Sequence, residues 1–319
     1  MVLDHLLNSK IHIGGLSGLD LLPAQNPLVK LLKSYLIAGT IEGKSPNTLK
    51  GYCQTIGCFL RSDVAQVSDV HYITAQHIRL FLLSIQEKGV TPFTVNAYYR
   101  SLYTFFNWLV AEAFIDQNPM RNIKPPKVPK IVIKPFSAQD IERLLLLCSG
   151  NTFLDIRNRA IILLFMDTGM RLGELASIQL KDINFDNETI KVMGKGAKER
   201  IVRMGKTTQR AFLKYLLIRN DDHACLWITE EGKPMKKAGI QIAIKRLCHR
   251  AEITDAKPGP HTFRHTAAIH CLRNGMREFS LQIMLGHSSL AMTRKYVSTL
   301  GQDDMIRAHR TASPVDKIA

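Results

Sequence analysis

The sequence predicts a mainly α-helical protein of two domains: a four-helix N-terminal domain, and a mostly helical C-terminal domain of α+β character with a small antiparallel three-stranded β-sheet. Three observations predict it. The chain has 319 residues, beyond the roughly 250 at which single cores stop growing. Apolar residues recur at helical spacing over most of its length, and only the stretch from about 182 to 204 alternates apolar with polar residues. Between the helical halves, residues 118–135 (NPMRNIKPPKVPKIVIKP) carry five prolines and five basic residues, a composition that stays extended and marks a linker.

The first 25 residues, rich in Leu and Gly, show no clear pattern and read either as an arm or as a frayed end. A helix is expected from Asn26 to about Ala38. Ser45 followed by Pro46 is an N-cap with an N1 proline, opening a second helix through Leu60. Thr74 caps a third that ends at Gly89. Thr91 and Pro92 open a fourth through Phe114, with Tyr98, Leu102, Phe105, Phe106 and Leu109 on one face. The helical domain is therefore set at 26–116 and the basic linker at 117–136. Ser137 and Asp140 form a capping box at the start of the second domain, which is set at 137–300. Helices are expected at 138–148 and 156–168. Strands follow at 182–185, 189–193 and 200–204, joined by Asp186-Asn187 and by Gly194-Lys195-Gly196. Helices resume at about 207, 237–251, 261–274 with Gly275 as a stop, 281–285, and 290–300 after Ser288 and Ser289. The tail, 301–319, is too short for a domain.

Composition narrows the function. With 45% hydrophobic and 22% charged residues, the chain can fill packed cores. Lys+Arg 43 against Asp+Glu 27 leave a formal charge of +16, so an extended polyanion is the natural partner. A membrane surface is disfavoured, because no segment joins Lys/Arg to a broad apolar stripe. The six cysteines are scattered, with no CxxC and no matching Cys/His spacing, which argues against a zinc site or a disulfide framework. The N-terminus lacks a continuous apolar run, and the longest run, Ala160–Met166, is too short to span a bilayer. A cytoplasmic, nucleoid-associated protein is expected.

Four segments of the second domain concentrate polar residues that could do chemistry. In TGMRLGEL, Arg171 follows the Gly169 break and Glu174 lies one turn on; an ordinary helix ion pair is the plain reading. In GKGAKER, Lys195 sits between glycines at a hairpin tip, and no GxxxxGK[ST] is present to bind a nucleotide. In HTFRH, His261 and Arg264 share a helical face. His261 and His265 have metalloprotease-like spacing but lack the HExxH glutamate. In LGHSSLAMTRKY, His287 precedes a helix and Tyr296 lies on its second or third turn, where a half-buried core tyrosine would be the ordinary reading.

Together these residues suit attack on a phosphodiester better than hydrolysis by paired carboxylates or zinc. Charge grows on the non-bridging oxygens, and two guanidiniums, from Arg171 and Arg264, can stabilise it. A tyrosine hydroxyl, ordinarily near pKa ~10, needs cations and a proton acceptor, while the departing oxygen needs a donor. The histidines and Lys195 can supply these. A tyrosyl phosphate conserves the ester, so resealing needs no ATP, metal or other cofactor. Lys50, Arg100, Lys124, Lys127, Lys130, Lys198 and Arg200 are candidate DNA-contacting cations.

TGMRLGEL, the GKG hairpin, HTFRH and LGHSSLAMTRKY resemble, in order and spacing, the signature segments of the tyrosine recombinase family, which includes phage integrases and Xer-type resolvases. The helical domain is similar to that family's SAM-like core-binding domain. The resemblance implies that Arg171 and Arg264 activate the scissile phosphate and that Tyr296 forms a 3′-phosphotyrosine. It also implies Lys195 as general acid, His261 as a proton-transfer and phosphate-contacting residue, His287 as a supporting hydrogen-bond donor and Glu174 as an orienting acid. It further implies double-stranded DNA with specific recombination sites, a homotetramer that passes through a Holliday junction, accessory DNA-bending or directionality proteins, and a tail that docks on a neighbouring subunit. Two alternatives share the fold: relaxation of DNA in the manner of a type IB topoisomerase, and a non-catalytic DNA-binding regulator.

Overall fold

The computed structural model describes residues 27–67, 69–129, 133–194, 199–313 and 315. The chain divides near residue 130 into two compact units. The expectations for residues 1–25, Lys130, Lys195 and Lys198 lie outside the described residues.

In the first unit the helices are α1 (Pro27–Ile41), α2 (Pro46–Leu60), α3 (Ala75–Glu87) and α4 (Pro92–Ala111). The Ser45 hydroxyl accepts from the Thr48 N–H at 3.2 Å, the N-cap that its position ahead of Pro46 predicts. The core between the helices is aromatic, with Phe59 meeting Phe81 edge-on at 5.1 Å and Tyr35 meeting Phe105 at 5.4 Å. On α4 the fully enclosed tyrosine is Tyr99, whereas Tyr98 is half-buried. The Tyr99 hydroxyl donates to the Ile123 carbonyl at 2.7 Å, and the Asn96 amide donates to the Pro126 carbonyl at 3.2 Å. Met120 is fully buried. The first part of the proline-rich segment is thus sewn onto α4.

The second unit opens on the capping box: Asp140 N–H donates to the Ser137 hydroxyl at 3.1 Å, and Ser137 N–H to the Asp140 carboxylate at 2.9 Å. Its helices are α5 (Ala138–Leu147), α6 (Phe153–Thr168), α7 (Leu172–Ala176), α8 (Lys206–Ile218), α9 (Lys237–Arg250), α10 (Pro260–Arg273), α11 (Glu278–Leu285), α12 (Leu290–Val297) and α13 (Gln302–Ala312). The strands β1 (Ile183–Asn184), β2 (Thr189–Met193) and β3 (Glu199–Arg203) form one antiparallel sheet in sequence order. The register Ile190↔Val202 and Met193↔Glu199 puts Ile190, Val192 and Val202 on the buried face.

The core of this unit gathers Phe136, Phe165, Phe212, Tyr215, Trp227 and Phe263. Trp227 donates to the Leu175 carbonyl at 2.9 Å, which fixes α7 against the core. Helix α10 runs through the interior: every residue from Thr262 to Ile269 is buried, including Arg264 and His265. Its polar groups therefore need internal partners. Thr266 supplies one, accepting from the Phe136 N–H at 2.9 Å.

Several boundaries differ from expectation: α4 ends at Ala111 rather than Phe114, α6 starts at Phe153 rather than Ile156, and α12 ends at Val297 rather than Leu300. Helix α7 is an added turn beginning just after Arg171; α11 starts three residues earlier than Leu281; and the tail forms α13. That last helix is held by the Gly301 N–H on Asp304 at 3.1 Å and by Arg273 on Asp304 at 2.8 Å. Its sequence, QDDMIRAHRTA, has few apolar residues from which to read a period.

Helix α6 ends on Gly169 with φ of 57°, and a Cβ there would lie 2.7 Å from the Leu285 side chain. The left-handed turn and the close approach together redirect the chain into Arg171. Gly169→Ala is expected to lower unfolding free energy by about 2–4 kcal/mol. Urea titration measures this, and a variant as stable as the parent would contradict the assigned role of the turn.

Candidate active site

The site is assembled around one carboxylate. Glu174, in α7, is 4% exposed. Its Oε2 accepts from the Arg171 backbone N–H at 2.7 Å and its Oε1 from the Arg171 guanidinium at 2.8 Å. From β3, Arg200 grips the same carboxylate with two bonds of 2.8 Å. Burial alone would push the Glu174 carboxyl up, but the Arg200 fork and the Arg171 contacts outweigh it and hold the pKa at about 2.

Arg171 and Arg200 also reach the turn between α11 and α12. Arg171 donates to the Gly286 carbonyl at 3.2 Å, and Arg200 to the Met284 carbonyl at 3.0 Å. Gly286 has φ of 64°, and a Cβ on it would lie 3.1 Å from the Arg200 guanidinium. Only glycine admits both the turn and that approach.

Arg264, from the buried face of α10, donates to the Gly169 carbonyl at 2.7 Å and to the Leu285 carbonyl at 2.8 Å. Its partners are carbonyls, so no carboxylate neutralises it. Burial first, and then the Arg171 charge, lower its pKa, while the neighbouring Tyr296 and Glu174 offset part of that. Three guanidiniums thus face one carboxylate, and the site keeps a surplus of positive charge. His287 registers it: burial, then Arg264, Arg171 and Arg200, push its pKa down to about 4, so the ring is neutral near neutrality. Its Nδ1 is paired with the buried Thr293 hydroxyl at 2.8 Å.

Tyr296 is half-buried on α12. Its ring lies parallel to His287, with centroids 5.8 Å apart and planes at 10°, and tilted against His265 at 5.1 Å. His261 is exposed in the first turn of α10, one turn before Arg264. The fold therefore gathers Arg171, Glu174, Arg264, His287 and Tyr296, and puts His261 at the rim of the same helix. Lys50, Arg100, Lys124 and Lys127 are exposed in the first unit. Arg200, which composition placed among the DNA-contacting cations, is instead bound to Glu174, its side chain 11% exposed. The signal for that was present: strand alternation puts Arg200 on the same face as the buried Val202. Among the described residues no three His, Cys, Asp or Glu side chains converge as a metal-binding group.

An arrangement of this kind receives an anion. The Glu174 carboxylate is consumed by its guanidiniums and is not free to activate water. A tyrosine hydroxyl sits beside the cations.

Comparison with known proteins agrees with this chemistry. Residues 134–302 match the model of the phage integrase family, and residues 31–116 match the phage integrase N-terminal SAM-like domain. The chain is 29% identical over 274 residues to tyrosine recombinase XerD of Halalkalibacterium halodurans, covering 83% of this chain and 91% of that one. It is 30% identical over 284 residues to tyrosine recombinase XerD of Listeria monocytogenes, covering 85% and 93%. The fold is similar to that of the XerH site-specific recombinase bound to palindromic difH substrate in a post-cleavage complex, with a TM-score of 0.67 and 20% identity over 86% of this chain and 81% of that one. No described helix is long and apolar enough to cross a membrane. The chain belongs to the phage integrase family, as a tyrosine recombinase.

Proposed function

We propose that this recombinase cuts and rejoins DNA at specific sites through Tyr296. The observation that carries the reading is the surplus positive charge of Arg171, Arg200 and Arg264, three guanidiniums against the single Glu174 carboxylate, beside the Tyr296 ring. A scissile phosphate would take the anion position, its non-bridging oxygens on the Arg171 and Arg264 guanidiniums. The Tyr296 oxygen attacks phosphorus, the bond to the 5′ oxygen breaks, and the 3′ end remains on the tyrosine. The tyrosine proton leaves to an acceptor, and the 5′ oxygen receives one, with Lys195 as the donor. His261, exposed beside Arg264, is assigned to phosphate contact and proton transfer. His287 is assigned to hydrogen bonding, which requires the Thr293 hydroxyl to donate to Nδ1 and so leaves the N–H on Nε2. Bound phosphate would offset the arginines and raise the His287 pKa. Because the ester is conserved, a 5′ hydroxyl from a partner strand reseals the break, and strands exchange through a Holliday junction.

Contacts along the duplex are assigned to Lys50, Arg100, Lys124 and Lys127, with Lys130 and Lys198 as further sequence candidates, and to a basic linker spanning 117–136. Helix α13, with Met305 and Ile306 exposed, is assigned to contact between subunits of a tetramer in the synaptic complex. Accessory proteins that bend DNA or set direction would act on that assembly. Topoisomerase-like relaxation is the less favoured reading, since the curated relatives reported above are named recombinases.

Tyr296→Phe is expected to bind a nicked site with unchanged affinity yet form no covalent protein–DNA adduct, while the parent forms one in the presence of EDTA. An adduct from the variant, or one that needs metal, would overturn the reading. A second expectation concerns acid. His287 stays neutral in the fold down to about 4 against an ordinary 6.5, so the unfolded chain takes up a proton that the folded one refuses. Its contribution is therefore complete above 6.5 and lost as pH falls toward 4. From about pH 7 to about pH 5 the loss is about 2 kcal/mol. His287→Asn is expected to remove that part of the acid loss in urea denaturation, and equal losses in both proteins would contradict it.

A further inference from the structure

His265 is the second histidine of HTFRH, and the mechanism above gives it no part. Its side chain is enclosed in α10, with the residue 6% exposed, and its Nε2 has no hydrogen-bond partner in the described structure. An interior nitrogen left in that state costs free energy comparable to a lost hydrogen bond. Burial lowers the pKa, with the Ile133 backbone opposing it, so the ring is neutral; an N–H on Nδ1 facing Ile133 then leaves the lone pair on Nε2. The imidazole packs on the Tyr296 ring at a centroid distance of 5.1 Å.

The needs of the tyrosine complement this. The Arg264 guanidinium is held by the Gly169 and Leu285 carbonyls, and the Tyr296 hydroxyl, which can donate as well as accept, still has its own proton to place. Of the two imidazoles on the Tyr296 ring, His287 already has its Nδ1 on Thr293. His265 brings an unused acceptor.

We propose that His265 is a positioning residue for the nucleophile: its ring flanks Tyr296, and its Nε2, unpartnered in this structure, takes the hydrogen bond of the Tyr296 hydroxyl when a scissile phosphate occupies the site, aiming the oxygen before attack. The proposal rests on the reading of Tyr296 as the attacking group. It divides two properties of histidine that substitutions can separate. Glutamine restores a polar atom near the Nε2 position. Asparagine keeps a donor near Nδ1 for Ile133 but has nothing at Nε2. Phenylalanine keeps the ring volume alone.

The test measures single-turnover adduct formation on a nicked site, together with DNA affinity and thermal midpoint, for His265→Gln, His265→Asn and His265→Phe in the full chain. His265→Gln is expected within about threefold of the parent rate, and His265→Asn and His265→Phe about tenfold or more below it, with affinity unchanged. If phenylalanine preserves the rate while glutamine loses it, His265 only fills space and the proposal falls. Equal rates in all three variants overturn it as well. Should the phenylalanine variant fail to fold, the glutamine and asparagine variants still decide. An adduct that persists in Tyr296→Phe would instead remove the underlying reading, so the two failures are distinguishable.

Discussion

The buried carboxylate of Glu174 is the interaction on which the rest of the site depends. It lies at the start of a one-turn helix and receives a backbone N–H, one bond from Arg171 and two from Arg200. Removing a charge from water is costly, and a buried pair repays the cost only when its geometry satisfies the remaining donors and acceptors. Here the donors come from two places in the chain, the turn after α6 and strand β3, and the arginines' remaining bonds go to the carbonyls of Met284 and Gly286, which accept them. One acid therefore joins the sheet, the turn carrying Arg171 and the turn leading to His287 and Tyr296. Deleting it would leave two partly buried guanidiniums facing each other without a counter-charge.

The same network explains why the site can hold a phosphate. Glu174 cancels one guanidinium, while Arg264 is held by carbonyl oxygens that fix its direction without neutralising it. The excess charge is therefore preorganised, aimed and not internally quenched, which is the condition for stabilising charge that develops during a reaction. After burial, the neighbouring guanidiniums lower the pKa of both His287 and Arg264, which registers that excess.

Much of this was legible before the structure. Ser45-Pro46 and the Ser137/Asp140 box marked helix starts because caps satisfy orphan N–H groups by local rules, and Thr91-Pro92 did so because a proline at the first helical position pre-sets the turn. The alternation from 182 to 204 marked the sheet for an equally local reason. Arg171, Arg264, His287 and Tyr296 were legible as a set because phosphoryl chemistry calls for those side-chain types. What stayed hidden was long-range. The Arg200 grip on Glu174 spans 26 residues, and the anchoring of residues 123 and 126 on α4 depends on tertiary hydrogen bonds. From Thr262 to Ile269 helix α10 is buried on all sides, so its polar residues look like a solvated face in the sequence, and His265 was weighed only as a metal-ligand partner of His261.

The claim at the centre of the account is that the hydroxyl of Tyr296 becomes bonded to the 3′ end of the cut strand. Trapping the adduct on a nicked site, digesting protein and DNA, and sequencing the nucleotide-bearing peptide by mass spectrometry tests it directly. The account predicts a 3′-linked nucleotide on the peptide that contains Tyr296. A nucleotide on any other residue, or one joined through its 5′ end, would contradict it.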